Sequence, residues 1–460
     1  MRKVELSNLP AVGSLINAPE IKPLIQEHGR PLVTDAIRKA IAHAREEVLA
    51  DRELPSIDAT SIQQWIDLLC TLSLRDLING TGVVIHTNLG RAPLALSAQK
   101  AVANVSRGYS SLEFDLKSGQ RGSRHDHVSS LLENQLKAPA AIALNNCAGA
   151  VFVSLAAICK NKEVIIARGE LVEIGGGFRV PDIMQESGAL MKEIGTTNRV
   201  HLKDYEAAIT ENTGAILVVH RSNFAILGFT AHPGVKKLSE LAKKYQIPLL
   251  VDVGSGLIAE YEQFGDASSQ LREEPRPQDV LKQGAELIMF SGDKLLGGPQ
   301  SGIIAGTQEL VDKVKAHPLA RAMRADKLTL AALEATLLLY RDGRENEIPV
   351  IRDLSATQEE VRQRGEDLVN LIEVECPELK AHVVEGDSLV GGGALPLVKL
   401  PSCLVKIEKH ELSAEQLAER LRSSSPAIIP RMVDDTVSLD MRTIPHSELS
   451  VIVKILSNII

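Results

Sequence analysis

The chain has 460 residues, 44% of them hydrophobic and 24% charged, a composition ordinary for a globular protein with room for two or three domains. Aromatics amount to only 3%, with a single Trp (Trp65), which argues against reading single strands on stacked aromatic side chains. The formal net charge of -8 excludes a globally basic nucleic-acid binder and leaves only a local basic patch as a route to such a partner.

The N-terminus, "MRKVELSNLPAVGSLINAPEI", lacks the long apolar core and cleavage pattern of a secretory signal. No stretch approaches the ~20 apolar residues of a membrane span. The expected compartment is the cytoplasm. From Ile21 to Leu77 the pattern is helical. "TDAIRKAIAHAREEVLA" sets Ala36, Ile37, Ala40, Ile41 and Val48 on one face, with Thr34 as the expected cap. "SIQQWIDLLCTLSLRDLI" predicts a second helix, and the polar "DRELPSIDAT" joins the two.

From Asn79 short apolar runs alternate with helical patterns. The runs are "GVVIHT", "AAIALNN", "EVIIAR", "ALMKEIG", "AILVVH", "IPLLVDV", "LIMFSG" and "SGIIAG". Alternation of this kind predicts an α/β domain with a mainly parallel sheet covered on both faces. "ARAMRADKLTLAALEATLLLYRD" then reads as one long helix. The remainder, with "VGGGALP" in its middle, reads as a small α+β domain. The expected division is a helical segment over 1–75, a large α/β domain over 76–335 and a small domain over 336–460.

The five cysteines (Cys70, Cys147, Cys159, Cys376 and Cys403) are odd in number and contain no CxxC pair. That favours reduced thiols over a disulfide framework or a zinc site.

Four features fall at the ends of predicted strands, where open α/β sheets bind ligands. "LNNCAGAVFVSLAA" runs from a strand through Asn145, Asn146, Cys147, Ala148 and Gly149 into a helix. Its N-terminal N–H groups suit a phosphate, although an ordinary strand-to-helix turn looks the same. In "IPLLVDVGSG", Asp252 follows a very apolar strand and needs a donor there. A protonated pyridine nitrogen is one such donor, and capping of the next turn is the plain alternative. "ILVVHRSNF" carries His220, Ser222 and Asn223, which either bind a ring hydroxyl or form a turn. "AELIMFSGDKLLGGPQSGII" carries Ser291, Asp293 and Lys294 between a buried strand and a glycine-rich turn. Lysine is seldom buried, and a desolvated amine is a useful nucleophile. Asp252 and Lys294 stand 42 residues apart, room for one crossover unit. A phosphate cradle, a pyridinium partner, a ring-hydroxyl donor and a Schiff-base lysine, in that chain order, make the constellation of a pyridoxal-phosphate enzyme.

A second group is cationic: His86 and Arg91; Arg121, Arg124, His125 and His127 in "SGQRGSRHDH"; Arg321 and Arg324 in "HPLARAMRADK". Singly these read as solvated surface residues; together they suit an anion. "RHDH" has no matching second cluster, so no metal is expected.

The sequence resembles the bacterial selenocysteine synthase family, the L-seryl-tRNA(Sec) selenium transferases. "INGTGVVIHTNLGRAPL", "SGQRGSRHDHV", "ARGELVEIGG", "VHRSNF", "VDVGSG", "FSGDKLLGGPQSGII" and "RAMRADKLTLAALEATL" carry the resemblance. "VGGGALP" and "IIPRMVDDTVSLDMRTI" extend it into the C-terminal part. It implies the aspartate-aminotransferase-like fold, fold type I. It implies pyridoxal 5'-phosphate on Lys294, with Asp252 facing the pyridine nitrogen. Ser291 and the turn Asn146, Cys147, Ala148, Gly149 are then implied to contact the phosphate, and Asn223 the ring hydroxyl. Arg91, Arg124 and Arg321 match active-site arginines that hold the selenium donor, and Asp293 an acid beside the lysine.

The implied reaction converts seryl-tRNA(Sec) to selenocysteinyl-tRNA(Sec) with selenophosphate, through an aminoacrylyl intermediate. A homo-oligomer of dimers, a decameric ring on the family's pattern, is implied too. The helical segment is implied to bind tRNA, with Arg38, Lys39 and Arg45 as candidate contacts. Two alternatives stay open from the residues: a pyridoxal-phosphate lyase acting on a small free amino acid or amino sugar acid, and a tRNA-binding protein without catalysis.

Overall fold

The computed structural model describes residues 9–459 apart from Asp51, Glu53 and Gly176. By contact density the chain divides into two compact units that meet in sequence at Leu77 and Ile78.

The first unit is built on α1 (Arg30–Leu49) and α2 (Ala59–Cys70). Val33, Ala36, Ile37, Ala40, Ala44 and Val48 recur at helical spacing and are buried on α1. Val33, Ala36 and Ile37 share a core with Ile62 and Ile66 of α2. The expected start at Thr34 is corrected: α1 begins one turn earlier. Gly29, at φ 83°, turns the chain, and Pro31 occupies the first turn, where its missing N–H costs nothing. Thr34 lies inside the helix and donates its hydroxyl to the Arg30 carbonyl at 2.7 Å. Asp58 and Ser61 cap α2 reciprocally. This helix stops at Cys70, short of the expected end, because Leu77 onward pairs as a strand and sheet pairing overrides helical pattern. Arg38, Lys39 and Arg45 are all exposed, and Arg38 pairs with Asp35.

In the second unit, β1 (Leu77–Gly80) and β2 (Val83–Ile85) precede the main sheet. That sheet comprises β3 (Ala140–Leu144), β4 (Glu163–Ala167), β5 (Leu190–Ile194), β6 (Thr213–Val219), β7 (Leu249–Gly254), β8 (Leu287–Ser291) and β9 (Gly302–Gly306). Their order is β3-β9-β8-β7-β6-β4-β5, parallel except for β9, which is antiparallel to both neighbours. Alternate residues feed two separate cores. Ile165, Ile216, Val251, Ile288 and Ile303 face one; Val164, Leu217, Leu250, Met289 and Ile304 face the other. Period-2 alternation with both faces apolar is what the continuous hydrophobic runs required. The helices α3 (Ser129–Leu136) and α4 (Cys147–Ile158) lie on opposite faces.

The long helix expected near residue 320 is corrected to two, α5 (Pro318–Ala322) and α6 (Lys327–Arg341). Asp326 caps the second by accepting the Leu328 and Thr329 N–H groups. In the break, the Met323 carbonyl accepts the Asn145 N–H at 2.7 Å. Helix α6 runs without interruption through residue 335.

A second, six-stranded sheet has the order β1-β12-β13-β11-β10-β2, using β10 (Lys380–Gly391), β11 (Lys399–Glu408), β12 (Ala427–Val433) and β13 (Thr436–Asp440). "GVVIHT" thus belongs to this sheet and not to the main one, a further correction: β2 pairs in parallel with β10. Among the described residues no helix is long and apolar enough to cross a membrane.

Candidate active site

β7 and β8 are adjacent and parallel, with Asp252 opposite Met289, so their C-terminal ends release Asp252 and the Ser291–Lys294 turn side by side. The turn is fixed by backbone bonds: Leu295 N to Ser255 O (2.9 Å), Gly297 N to Lys294 O (2.9 Å) and Gly298 N to Gly292 O (2.8 Å). A cavity of about 180 Å³ opens there, lined by Asp252, Ser291, Asp293, Lys294, Asn146, Cys147, Ala148 and Arg91 among others.

Asp252 and Lys294 are each only 6% exposed. Burial lifts the Asp252 carboxyl above the usual range, opposed by the Lys294 charge and by the Cys147 thiol, which donates to Asp252 Oδ1 at 3.7 Å. The Cys147 thiol itself is pushed far up, by burial first and then by Asp252. Among the described residues Lys294 makes no ion pair. The cavity therefore holds a buried amine and a buried carboxylate that both line room for a ligand. Asp293 Oδ2 accepts from Arg91 Nη1 at 2.6 Å, and both residues line this cavity and a second recess of about 290 Å³.

Asn146 caps α4 by accepting the Gly149 N–H at 2.8 Å, which leaves the Cys147 and Ala148 end of the helix at the cavity wall. Gly149 itself does not line the cavity, and its N–H is engaged. Asn223 does not line it either: its Nδ2 donates to the Glu173 carbonyl at 2.8 Å, and its buried Oδ1 has no partner among the described residues. His220 reaches Glu274 at 3.3 Å, Glu274 also accepts the Ser255 hydroxyl, and Ser222 is buried nearby in sequence.

The cationic group is not brought together whole. Arg91 is at the cavity. Arg124 bonds Glu113 through Nε and Nη2 and donates to the Ala325 carbonyl. Arg121 and Arg324 approach the same Glu113 at 3.2 and 3.6 Å, so Glu113 is held below the usual carboxylate range, chiefly by Arg124. Arg321 is exposed and off the cavity. His86 accepts the Asn88 N–H, His127 contacts the Leu112 carbonyl, and burial pushes His125 down to about 4.

The sequence reading missed Gln300, which lines both the cavity and the recess, and the buried Glu274. Gln300 lies on the lysine turn itself and was within reach of a reading by proximity. Glu274 sits in the charged run "REEPRP", where nothing distinguishes it.

The main sheet, with one antiparallel strand and a buried lysine after its neighbour, defines the fold-type-I class of pyridoxal-phosphate-dependent enzymes. The structure of D-glucosaminate-6-phosphate ammonia-lyase shares the fold, with a TM-score of 0.58 at 21% identity over 84% of this chain and 96% of that one. Residues 77–445 match the family model described as L-seryl-tRNA selenium transferase, and residues 6–45 match one described as selenocysteine synthase N terminal. The chain belongs to the L-seryl-tRNA selenium transferase family. It is 43% identical to the L-seryl-tRNA(Sec) selenium transferase of Geotalea daltonii (99% of each chain) and 43% identical to that of Geobacter sulfurreducens (98% of each).

Proposed function

We propose that this protein converts seryl-tRNA(Sec) to selenocysteinyl-tRNA(Sec) with selenophosphate, in the cytoplasm, holding pyridoxal 5'-phosphate on Lys294. The observation that carries the reading is the placement of buried Lys294 beside buried Asp252 in a chain of this family. The residues fit the cofactor: an amine for its aldehyde, a destabilised carboxylate for its ring nitrogen, and Ser291 with the Cys147–Ala148 helix end for its phosphate. Bound there, it would supply a ring that withdraws electrons from the Cα of an attached amine.

The protein's own residues then divide the work. Lys294 Nζ takes the proton from the seryl Cα. Asp293, held by Arg91, serves the proton at the β-oxygen, which leaves as water. Arg91 offers its remaining guanidinium donors to the selenium donor, whose Se bonds to Cβ and whose Se–P bond is then cleaved by water, releasing phosphate. Arg124 and Arg321 enter this reading by the resemblance, not by lining the cavity of their own chain. We further propose a homo-oligomer built from dimers and a three-part division into a tRNA-binding segment (1–75), a cofactor domain (76–335) and a C-terminal part (336–460).

The test is conversion of seryl-tRNA(Sec) by purified protein with selenophosphate, against free serine and amino sugar acids as substrates. Selenocysteinyl-tRNA formation is expected; consumption of a small free acid without tRNA binding overturns the reading. Within that assay, Arg91→Gln is expected to raise the selenophosphate requirement about 10- to 100-fold, the worth of a lost charge-assisted contact. Lys at position 91 keeps charge but lacks the planar fork, so it restores only part. Arg124→Gln and Arg321→Gln are measured alongside, and unchanged donor dependence in all three moves the anion site elsewhere.

Deletion of the residues before position 70 is expected to leave pyridoxal phosphate on Lys294 and to abolish seryl-tRNA binding. Every cofactor residue named lies in the second unit. Binding by the full chain should weaken with salt, as phosphate contacts do. Filter binding of seryl-tRNA to both forms checks this, and undiminished binding by the truncated chain sinks it.

A further inference from the structure

β2 and β10 form a parallel pair, with Val83 opposite Leu389 and Ile85 opposite Gly391, and the C-terminal ends of both strands run to the lysine turn. From β2 the chain turns through His86–Gly90 into Arg91, whose backbone adopts φ 63°. That left-handed conformation is uncommon for a side chain of this size. It delivers the guanidinium to Asp293, and the Ala92 N–H donates to the Asp293 carbonyl at 3.3 Å.

From β10 the chain enters Gly391, Gly392 and Gly393. Each of the three is pressed on a different neighbour. A Cβ on Gly391 would stand 2.4 Å from the Ile85 carbonyl oxygen of β2, and one on Gly392 2.6 Å from Thr87 Oγ1. A Cβ on Gly393, which sits at φ 91°, would stand 2.7 Å from Lys294 Nζ and 2.8 Å from its Cε. Unbonded carbon contacts prefer about 3.5–4.0 Å, so a side chain at 393 fits only if the end of the lysine is displaced from where it lies. The pair is anchored from below. Leu389 N donates to the Gly82 carbonyl at 2.9 Å, and the Ser388 hydroxyl donates to fully buried Asp440 at 2.8 Å. Asp440 also accepts from the Ser402 hydroxyl and from Arg431.

We propose that this strand pair is a two-pronged positioning device for the consecutive residues Asp293 and Lys294. β2 holds Asp293 through Arg91. β10 presents a wall without side chains, Gly393, along which the Lys294 amine moves. The inference rests on the reading of Lys294 as the cofactor lysine. That amine must attack an aldehyde carbon, forming a C–N bond with release of water, and must later be freed to take up a proton. Both require its Cε–Nζ end to turn in the space beside residue 393. A methyl group there takes that space, with Lys294 Nζ, Cε and Cδ as its three nearest neighbours.

The test compares wild type, Gly393→Ala and Gly343→Ala after loading with pyridoxal phosphate and reducing with borohydride. Gly343 has φ 68° with nothing within 4 Å of a Cβ, so its variant carries the backbone penalty alone. Peptide mass gives the fraction of Lys294 labelled, and thermal melting reports the fold. Wild type and Gly343→Ala are expected to be labelled alike. Label in Gly393→Ala is expected to fall about tenfold or more, as overpacking of a tight contact demands. Full labelling of folded Gly393→Ala overturns the proposal; absence of label from wild type overturns the reading of Lys294 instead. Should Gly393→Ala not fold, Gly392→Ala decides, because its Cβ pushes the same turn off Thr87. Reduced label, restored by adding Thr87→Ala, supports the device. Unchanged label in Gly392→Ala refutes it.

Discussion

Lys294→Ala is expected to abolish turnover and, with it, the visible absorbance that borohydride bleaches, while the protein stays folded. The side chain is almost fully buried and makes no ion pair among the described residues, so its removal breaks no direct charge contact, although buried Asp252 loses the largest influence opposing its raised carboxyl. The loss is that of a covalent anchor and a base at once. Residues of that kind act as a unit, and their removal costs several orders of magnitude in rate. The check is the spectrum together with peptide mapping of reduced wild type: pyridoxyl should be found on Lys294. A label on any other lysine refutes the assignment.

Asp252→Ala is expected to keep covalent cofactor on Lys294 and to lose about 10²–10³-fold in kcat, the usual size of a lost buried electrostatic partner. The physical ground is the cost already present in the structure. Burial raises the Asp252 carboxyl, opposed chiefly by the Lys294 charge and then by the Cys147 thiol, the Gly254 backbone and His220. A carboxylate kept at such expense between β7 and β8 is explained by a cation that arrives with the ligand. Asp252→Asn separates charge from shape: it should behave like Ala in turnover and like wild type in melting. Near-normal turnover in either variant would make Asp252 a residue of the fold.

What could be read from the sequence was local. All eight runs form strands; most are buried on both faces, whereas Leu190–Ile194 is a largely exposed edge strand. Asp252, Ser291 and Lys294 converge because strand ends in a parallel sheet release their loops on one side. What could not be read was decided by partners far away in sequence. β2 carries a strand pattern that says nothing of which sheet it joins. Arg124 looked like a free cation, and Glu113 takes it. Asn223 follows a strand as a ring-binding residue should, but a backbone carbonyl claims its amide. Gly393 lies far along the chain from Lys294, and no spacing rule could place one against the other. Thr34 was a sound cap by residue type; Gly29 and Pro31 simply offered an earlier one.

The pairing of β2 with β10 also imposes an order on the birth of the molecule. Val83 and its partner Leu389 are separated by 306 residues. At ribosomal speeds of about 5–20 residues per second, β2 waits roughly 15 to 60 seconds for its neighbour. All seven strands of the main sheet emerge during that interval and can pair among themselves. A nascent chain can thus hold the lysine-bearing sheet, and Arg91 for Asp293, before the glycine turn 391–393 that lies against Lys294 has been made. A polypeptide released before residue 391 would therefore carry the lysine without the glycine turn that lies against it.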